Sequence, residues 1–463
     1  MNDYFSPDKT DSALPIRPVA ADRAMAWLER RPPVQSAWAR ASGFEPEMGR
    51  ALLLPDEKGA PEGVLLCLGP EPDLWAFSAA ARDLPEGDYR VAPEGDWSRE
   101  KHSAAALGWA LGTYEFTRFR TKPARQPPRL VLPPEVDPGA VESMARAVFL
   151  VRDLVNTPAE EMGPQELAWE ATRLAREGGG RVEIIAGEEL LGRNFPSIHL
   201  VGRGSRREPL LIDLDWGAED DPLVVLVGKG VCFDSGGLDL KKAEGMRFMK
   251  NDMAGAAHVL GLAGLIMAAG LPIRLKVLVP AVENMPSGRA YRPGDVVKTR
   301  QGTYVEISNT DAEGRIILSD ALSLGSSLSP ELMIDFATLT GAARVALGPT
   351  LPALFSNDEG LAQDLTGLGR SAGDPLWPLP LHRPYRRMLE SEVADLRNAV
   401  TEAPLGGAIT AALFMEEFVA RETPWAHLDI PGGRDKAEPG RPKGADAFGL
   451  RAVFALLEKR FGT

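Results

Sequence analysis

Cysteine and histidine are scarce in this 463-residue chain: two cysteines, Cys67 and Cys232, and five histidines, at positions 102, 199, 258, 382 and 427. Two thiols cannot build a disulfide framework, and a chain this long can bury roughly three quarters of its unfolded surface without staples. A reducing, cytoplasmic compartment is the expectation. No pair of histidines stands at zinc-ligand spacing, which disfavours a histidine zinc site. Basic residues are in deficit, 52 Lys plus Arg against 65 Asp plus Glu for a net charge of −13, and they form no block. A broad nucleic-acid footprint is therefore disfavoured. The opening Met1-Asn2-Asp3-Tyr4-Phe5-Ser6-Pro7-Asp8 has neither a basic start nor an apolar centre, so no secretory signal is expected there. The longest apolar run, Met253 to Leu271, raises the membrane question, but it holds His258, is rich in Gly and Ala, and lies between two strand-like runs. It reads as a buried helix. Internal repeats and low-complexity tracts are also missing.

What is present is the grammar of an α/β protein of two or three domains. Residues 1–136 mix short apolar runs, such as Gly63 to Leu68, with helical stretches such as Ala104 to Arg118, and read as a smaller N-terminal α/β domain. Prolines crowd the stretch from Pro123 to Pro138, a plausible domain edge. A connecting helix is expected over 137–157, because Met144, Val148, Val151 and Leu154 recur at helical steps until Asn156-Thr157-Pro158 stops them. Over 158–463 fully apolar strands alternate with helices: Val182 to Ile185, Leu210 to Ile212, Leu223 to Val227, Leu275 to Val279 and Leu332 to Phe336. Strands of this kind are covered on both faces, so the larger C-terminal domain should hold a mixed, largely parallel sheet flanked by helices. Val296 to Ile307 reads as a hairpin around Gln301-Gly302.

Ionisable residues gather on Gly-rich turns in two segments at strand ends, where ligands bind in such sheets. The first runs Gly228-Lys229-Gly230-Val231-Cys232-Phe233-Asp234-Ser235-Gly236-Gly237-Leu238-Asp239-Leu240-Lys241 and continues through Met249-Lys250-Asn251-Asp252. The second is Asn309-Thr310-Asp311-Ala312-Glu313-Gly314-Arg315, ahead of an apolar helix from Ile316 to Leu324. Gly228-Lys229 lacks the earlier glycine and the following Ser or Thr of a P-loop. Asp234-Ser235-Gly236 lacks the first glycine of a nucleophile elbow. Asp234, Asp252, Asp311 and Glu313 could together bring four negative charges to one pocket, which requires neutralisation. Two divalent cations would supply it, as in hydrolases that hold a water between paired metals. In an extended loop Asp311 and Glu313, two apart, would face the same way. Plainer roles stay open for each residue: Asp252 as a helix cap, Thr310-x-x-Glu313 as a capping box, Asp234 as a turn residue, and Lys229, Lys241 and Arg315 as solvated charges.

These two segments resemble the leucyl aminopeptidases, also called cytosol aminopeptidases, and the seven-residue string is the most specific match. Asn156-Thr157-Pro158, Pro293-Gly294-Asp295-Val296, Ala337-Thr338-Leu339-Thr340-Gly341 and Trp425-Ala426-His427-Leu428-Asp429 extend the resemblance over about residues 150–430. It implies one metal at Lys229, Asp234, Asp252 and Glu313, and a second at Asp234, Asp311 and Glu313 with the carbonyl of Asp311 available. It further implies Mn²⁺ or Zn²⁺ as the ions, Lys241 and Arg315 as the catalytic pair, and a bicarbonate at Arg315 as general base. A bridging water or hydroxide would attack the peptide carbonyl while the substrate's free α-amine occupies a position on the other metal. Met249, Thr338 and Gly341 match positions lining the first side-chain pocket. Short peptides as substrates and a homohexamer are implied in the same way; from the sequence itself no membrane partner is expected, and the acidic charge disfavours nucleic acid. One departure lies at that pocket: Asp429-Ile430-Pro431-Gly432-Gly433-Arg434 stands where the family usually continues Asp-Ile-Ala-Gly. It leaves the leucine preference open, with Arg434 either rimming the pocket or pointing to solvent. The alternatives are a narrow dipeptidase, such as a Cys-Gly hydrolase, and a non-enzymatic structural or DNA-binding relative, although the latter would normally have lost a ligand.

Overall fold

Alternating apolar runs and helix-forming stretches fold into two compact units in the computed structural model, which describes residues 4–7, 12–69, 74–122, 125–401 and 405–462. Residues 1–3 and 8 of the opening segment, and Pro123 of the proline-dense stretch, lie outside the described residues. The first unit comprises Met1–Phe149 and the return segment Asp435–Lys443; the second comprises Leu150–Arg434 and Gly444–Thr463.

The first unit is built on five strands, β1 (Leu14–Ala20), β2 (Ala51–Pro55), β3 (Pro61–Leu68), β4 (Asp88–Val91) and β5 (Arg129–Val131), in the order β2-β3-β1-β4-β5. The run from Gly63 to Cys67 is buried throughout, as a strand paired on both sides must be. Trp27, Leu28, Leu52, Leu54, Leu65 and Cys67 share one apolar cluster. The helix expected over Ala104 to Arg118 is instead Arg99–Gly112. Its start is fixed by Ser98, whose hydroxyl accepts from Lys101 N, a cap that apolar periodicity does not reveal.

The second unit carries β6 (Arg181–Ala186), β7 (Leu210–Trp216), β8 (Leu223–Gly228), β9 (Gly230–Asp234), β10 (Arg274–Asn284), a hairpin of β11 (Val296–Lys298) and β12 (Tyr304–Glu306), then β13 (Leu332–Ala337), β14 (Ala353–Ser356), β15 (Trp377–Pro378), β16 (Leu396–Arg397) and β17 (Trp425–Asp429). The main sheet runs β15-β14-β17-β13-β8-β10-β7-β6, with β9 paired to β10. Strands β8, β9, β10, β13 and β17 are mutually parallel, whereas β6/β7, β7/β10 and β14/β17 are antiparallel. This is the mixed, largely parallel sheet expected from the continuous apolar runs. The segment Met249–Ala269 is long and apolar enough to cross a membrane by length and composition, but most of its apolar stretch is buried within the fold. Inside its helix, Ala254–Ala269, the amide of Phe448 donates to His258 Nε2, so Nδ1 carries the proton that faces Ala254 O.

Candidate metal centre

Because five strands run parallel, their carboxyl ends open on one edge, and the chemistry-bearing residues stand there. Asp234 ends β9, Asn284 ends β10 and Asp429 ends β17, while Lys229 directly follows β8 and Thr338 follows β13. The remaining carboxylates arrive at helix starts: Asp252 just before Ala254–Ala269, and Glu313 as the first residue of the helix Glu313–Ser327. An acidic side chain in a first helical turn is favoured by the helix dipole. Glycine makes the approach possible, since a Cβ on Gly314 would stand 2.6 Å from Lys229 Cε.

Asp234, Asp252 and Glu313 each bring a carboxylate oxygen to within 4.8 Å of the other two, all three being buried. Lys229 Nζ donates to Asp252 Oδ1 (2.8 Å) and to the carbonyl of Thr338 (2.8 Å), and lies 2.9 Å from Glu313 Oε1. Lys241 Nζ spans Asp234 Oδ2 (2.7 Å) and Asp311 Oδ1 (2.5 Å). Thr338 is drawn in as well, its hydroxyl donating to Asp252 Oδ1 at 2.7 Å. Met249 lies half-buried in the short turn that leads to Asp252, and Gly341 opens the helix Gly341–Leu347 at the surface. Arg315 is buried, with Nη1 donating to Asn398 O (2.7 Å) and Nε without a hydrogen-bond partner among the described residues.

The electrostatics are those of an under-neutralised pocket. Burial, reinforced by Glu313 and Asp252, holds Asp234 well above the usual carboxylate range, and burial lifts Asp252 to about 7 against the pull of Lys229. Asp311 is also raised, chiefly by burial. Burial works against charge on Lys229 and Lys241 too, yet their carboxylate neighbours more than offset it, and both ammonium groups are held above the ordinary lysine range. Burial pushes Glu313 upward, but Lys229 and Lys241 bring it below its usual value. Burial lowers Arg315 to about 10. Within this network Asp252 Oδ2 and Glu313 Oε2 are buried and have no hydrogen-bond partner among the described residues. Leaving such a group unsatisfied costs about 1–3 kcal/mol, more when it is charged. Oxygen donors in this state fit a hard divalent cation.

The plainer roles left open by the sequence do not describe these residues. The helix after Asp252 takes no side-chain cap, and Asp252 is engaged by Lys229 and Thr338 instead. The Thr310 hydroxyl donates to Gly236 O (2.6 Å) and the helix after it lacks a side-chain cap, so there is no capping box. Asp234 does make the turn contact, accepting from Gly236 N at 2.8 Å, with Gly236 at φ 89°. Asp311 sits in a turn and Glu313 in a helix, so the expected extended segment is absent; convergence comes from the turn. Lys229 and Arg315 are buried rather than solvated. Arg434 neither points to solvent nor carries a free charge: it is buried and its Nε donates to Asp446 Oδ2 at 2.6 Å.

Several residues of the site escape sequence reasoning. Asn284 Nδ2 donates to Asp234 Oδ1 (2.8 Å) and to Thr310 O (3.0 Å), and the Tyr291 hydroxyl also donates to Thr310 O (2.6 Å). Asp429 accepts from Leu339 N, Thr340 N and the Thr340 hydroxyl, which shapes the turn carrying Thr338. A neutral polar residue at the end of an apolar strand was the only signal for Asn284.

Comparison with known proteins agrees with this geometry. Residues 149–454 match the catalytic domain of the cytosol aminopeptidase family, and residues 14–133 match the M17 aminopeptidase N-terminal domain. A probable cytosol aminopeptidase of Roseiflexus castenholzii is 44% identical over 375 residues, covering 76% of each chain. Among solved structures, a cytosol aminopeptidase from Coxiella burnetii superimposes with a TM-score of 0.94 at 46% identity over 100% of both chains. The bottromycin maturation enzyme BotP in complex with Mn gives 0.86 at 35% identity, over 97% of this chain and 99% of its own. With both domains matched and the strand-end carboxylates assembled, the chain belongs to the cytosol aminopeptidase family and is a two-domain α/β hydrolase with aminopeptidase activity.

Proposed function

We propose that this enzyme removes N-terminal amino acids from short peptides at a centre of two divalent cations. Lys229, Asp234, Asp252 and Glu313 would hold one ion; Asp234, Asp311 and Glu313 would hold the other. The observation that carries this reading is the pair of oxygens without a hydrogen-bond partner among the described residues, Asp252 Oδ2 and Glu313 Oε2, inside a cluster whose two lysines are each already paired with two carboxylates. When bound, paired cations polarise a scissile carbonyl and bring a water to deprotonation near neutral pH.

The chain's own residues do the rest. Lys229 serves as a ligand only as the neutral amine, giving up the proton that Asp252 and Glu313 otherwise keep on it. Lys241 keeps an ammonium beside the carboxylates and offers it to the carbonyl oxygen as negative charge develops. Arg315, with its unpartnered Nε, is suited to hold a bicarbonate that takes up a proton as general base. Met249, Thr338 and Gly341 line the pocket for the first side chain. Mn²⁺ is favoured by the Mn complex of BotP, with Zn²⁺ as the other candidate ion. The same reading includes a homohexamer in the cytoplasm, and a chain divided into an N-terminal domain (1–136), a connecting helix (137–157) and a catalytic domain (158–463).

The test is metal analysis coupled to a panel of aminoacyl amides and dipeptides. Two ions per chain, with turnover abolished by chelation and restored by Mn²⁺, are expected. Hydrolysis that survives complete removal of metal would sink the reading. Turnover confined to one dipeptide would make the enzyme a narrow dipeptidase.

A further inference from the structure

The turn Ser308–Ala312 belongs to neither a strand nor a helix, so its backbone groups must find partners elsewhere. One side chain provides four of them. Asn398, fully buried just after β16, accepts at Oδ1 from Ser308 N (2.8 Å), Asn309 N (3.2 Å) and the Ser308 hydroxyl (3.1 Å). Its Nδ2 donates to Asn309 O (2.7 Å) and Ala312 O (3.3 Å). A carboxamide has one acceptor oxygen and two N–H donors, and here both ends are fully engaged. The main chain of Asn398 is held in turn: its N–H donates to Glu306 O (2.9 Å), and its carbonyl accepts from Arg315 Nη1 (2.7 Å). One residue therefore grips the turn that presents Asp311, abuts the first residue of the Glu313 helix through Ala312, and anchors the Arg315 guanidinium.

We propose that Asn398 is a positioning residue of the active site: it sets the metal-ligand geometry of Asp311 and Glu313 through the Ser308–Ala312 turn and the aim of Arg315 through its own carbonyl. This rests on the reading of Asp311 and Glu313 as metal ligands. Its hydrogen bonds among the described residues go to Ser308, Asn309, Ala312, Glu306 and Arg315 rather than to the side chains of Asp234, Asp252, Asp311 or Glu313. The chemistry demands an amide here. Alanine removes five contacts at once. Aspartate keeps the shape and the accepted bonds but turns a second acceptor oxygen toward the carbonyls of Asn309 and Ala312.

The experiment uses the full chain, freed of metal by chelation. Mn²⁺ affinity is measured by calorimetric titration, thermal unfolding is recorded without metal, and kcat and KM are measured on an aminoacyl amide at saturating Mn²⁺. Partners that orient metal ligands are typically worth about 10–100-fold in affinity or activity. Asn398→Ala and Asn398→Asp should each weaken Mn²⁺ binding and lower kcat by about that factor, with KM within about twofold of wild type. If Asn398→Ala does not fold, the isosteric Asn398→Asp carries the same measurements. Variants that bind Mn²⁺ and turn over within about twofold of wild type overturn the proposal. So does a lower unfolding temperature with Mn²⁺ affinity and kcat unchanged, because that is a purely structural role. A wild-type chain that binds no Mn²⁺ in the same titration overturns instead the metal reading on which the proposal stands.

Discussion

Two buried groups of charges in the larger unit are built on opposite principles. In one, Asp446 is enclosed by two arginines: Arg152 donates to Oδ1 from Nε (3.2 Å) and Nη2 (2.9 Å), and Arg434 donates to Oδ2 from Nε (2.6 Å). The Arg434 guanidinium also lies over the Phe448 ring, 5.2 Å from its centroid, and Ala447 N donates to Asp446 Oδ1 at 3.0 Å. Burial alone would raise Asp446, yet the two arginines bring it down to about 2. In the other group, four carboxylates share two lysines, Asp234 and Asp252 are pushed upward by burial, and Asp252 Oδ2 and Glu313 Oε2 have no hydrogen-bond partner among the described residues. The first group is complete as protein. The second has a deficit of positive charge, and the contrast separates an ion cluster neutralised by the protein alone from one that is not.

The largest effect that tests this contrast is on catalysis. Glu313→Ala removes a carboxylate shared by both proposed ions, and should lower kcat by on the order of 10³-fold or more while metal content falls. The protein should stay folded, because Lys229 keeps Asp252 and the Thr338 carbonyl. Retained turnover with unchanged metal content would dissolve the distinction between the two groups. Asp446→Asn should do the reverse. It leaves two buried guanidinium groups without their shared anion, a loss of about 3–5 kcal/mol measurable by urea unfolding, while the metal stoichiometry of the folded protein is unchanged.

The smallest effect is the pH dependence of that stability difference. Asp446 has a folded pKa of about 2, below the ordinary aspartate value of about 3.9. Its contribution is therefore complete above about pH 4 and is lost as pH falls toward 2, amounting to about 2–3 kcal/mol. Urea unfolding of wild type and Asp446→Asn should converge over that window and run parallel above it. A gap that stays constant down to pH 2 would show that the arginines do not hold the carboxylate ionised.

Much of the catalytic unit was legible because its signals are local. Continuous apolar runs marked β8, β10 and β13, and the hairpin of β11 and β12 falls within Val296 to Ile307, around Gln301-Gly302. Lys229, Asp234, Asp252, Asp311 and Glu313 stood out as charges on Gly-rich turns, and the structure gathers them at one sheet edge. What escaped was whatever depends on distant partners. Asn398 is separated from Ser308 by 90 residues, and Tyr291 from Thr310 by 19. Neither is charged, and neither interrupts a periodic pattern. The place of Arg434 stayed open for the same reason, since nothing near it in the sequence points to Asp446 as its partner.

Composition and the order of residues along the chain by themselves determined the class of fold, the helix that is buried although apolar enough to raise the membrane question, and which side chains could bear the chemistry. Each of these follows from short-range pattern: apolar periodicity, glycine at turns, charge where burial should forbid it. Only the tertiary structure decided which carboxylate oxygens go without a donor, which arginines are spent on a structural aspartate, and which asparagine holds the site in shape. Hydrogen-bond satisfaction is a property of atoms brought together from far along the chain, and it exists only once they meet.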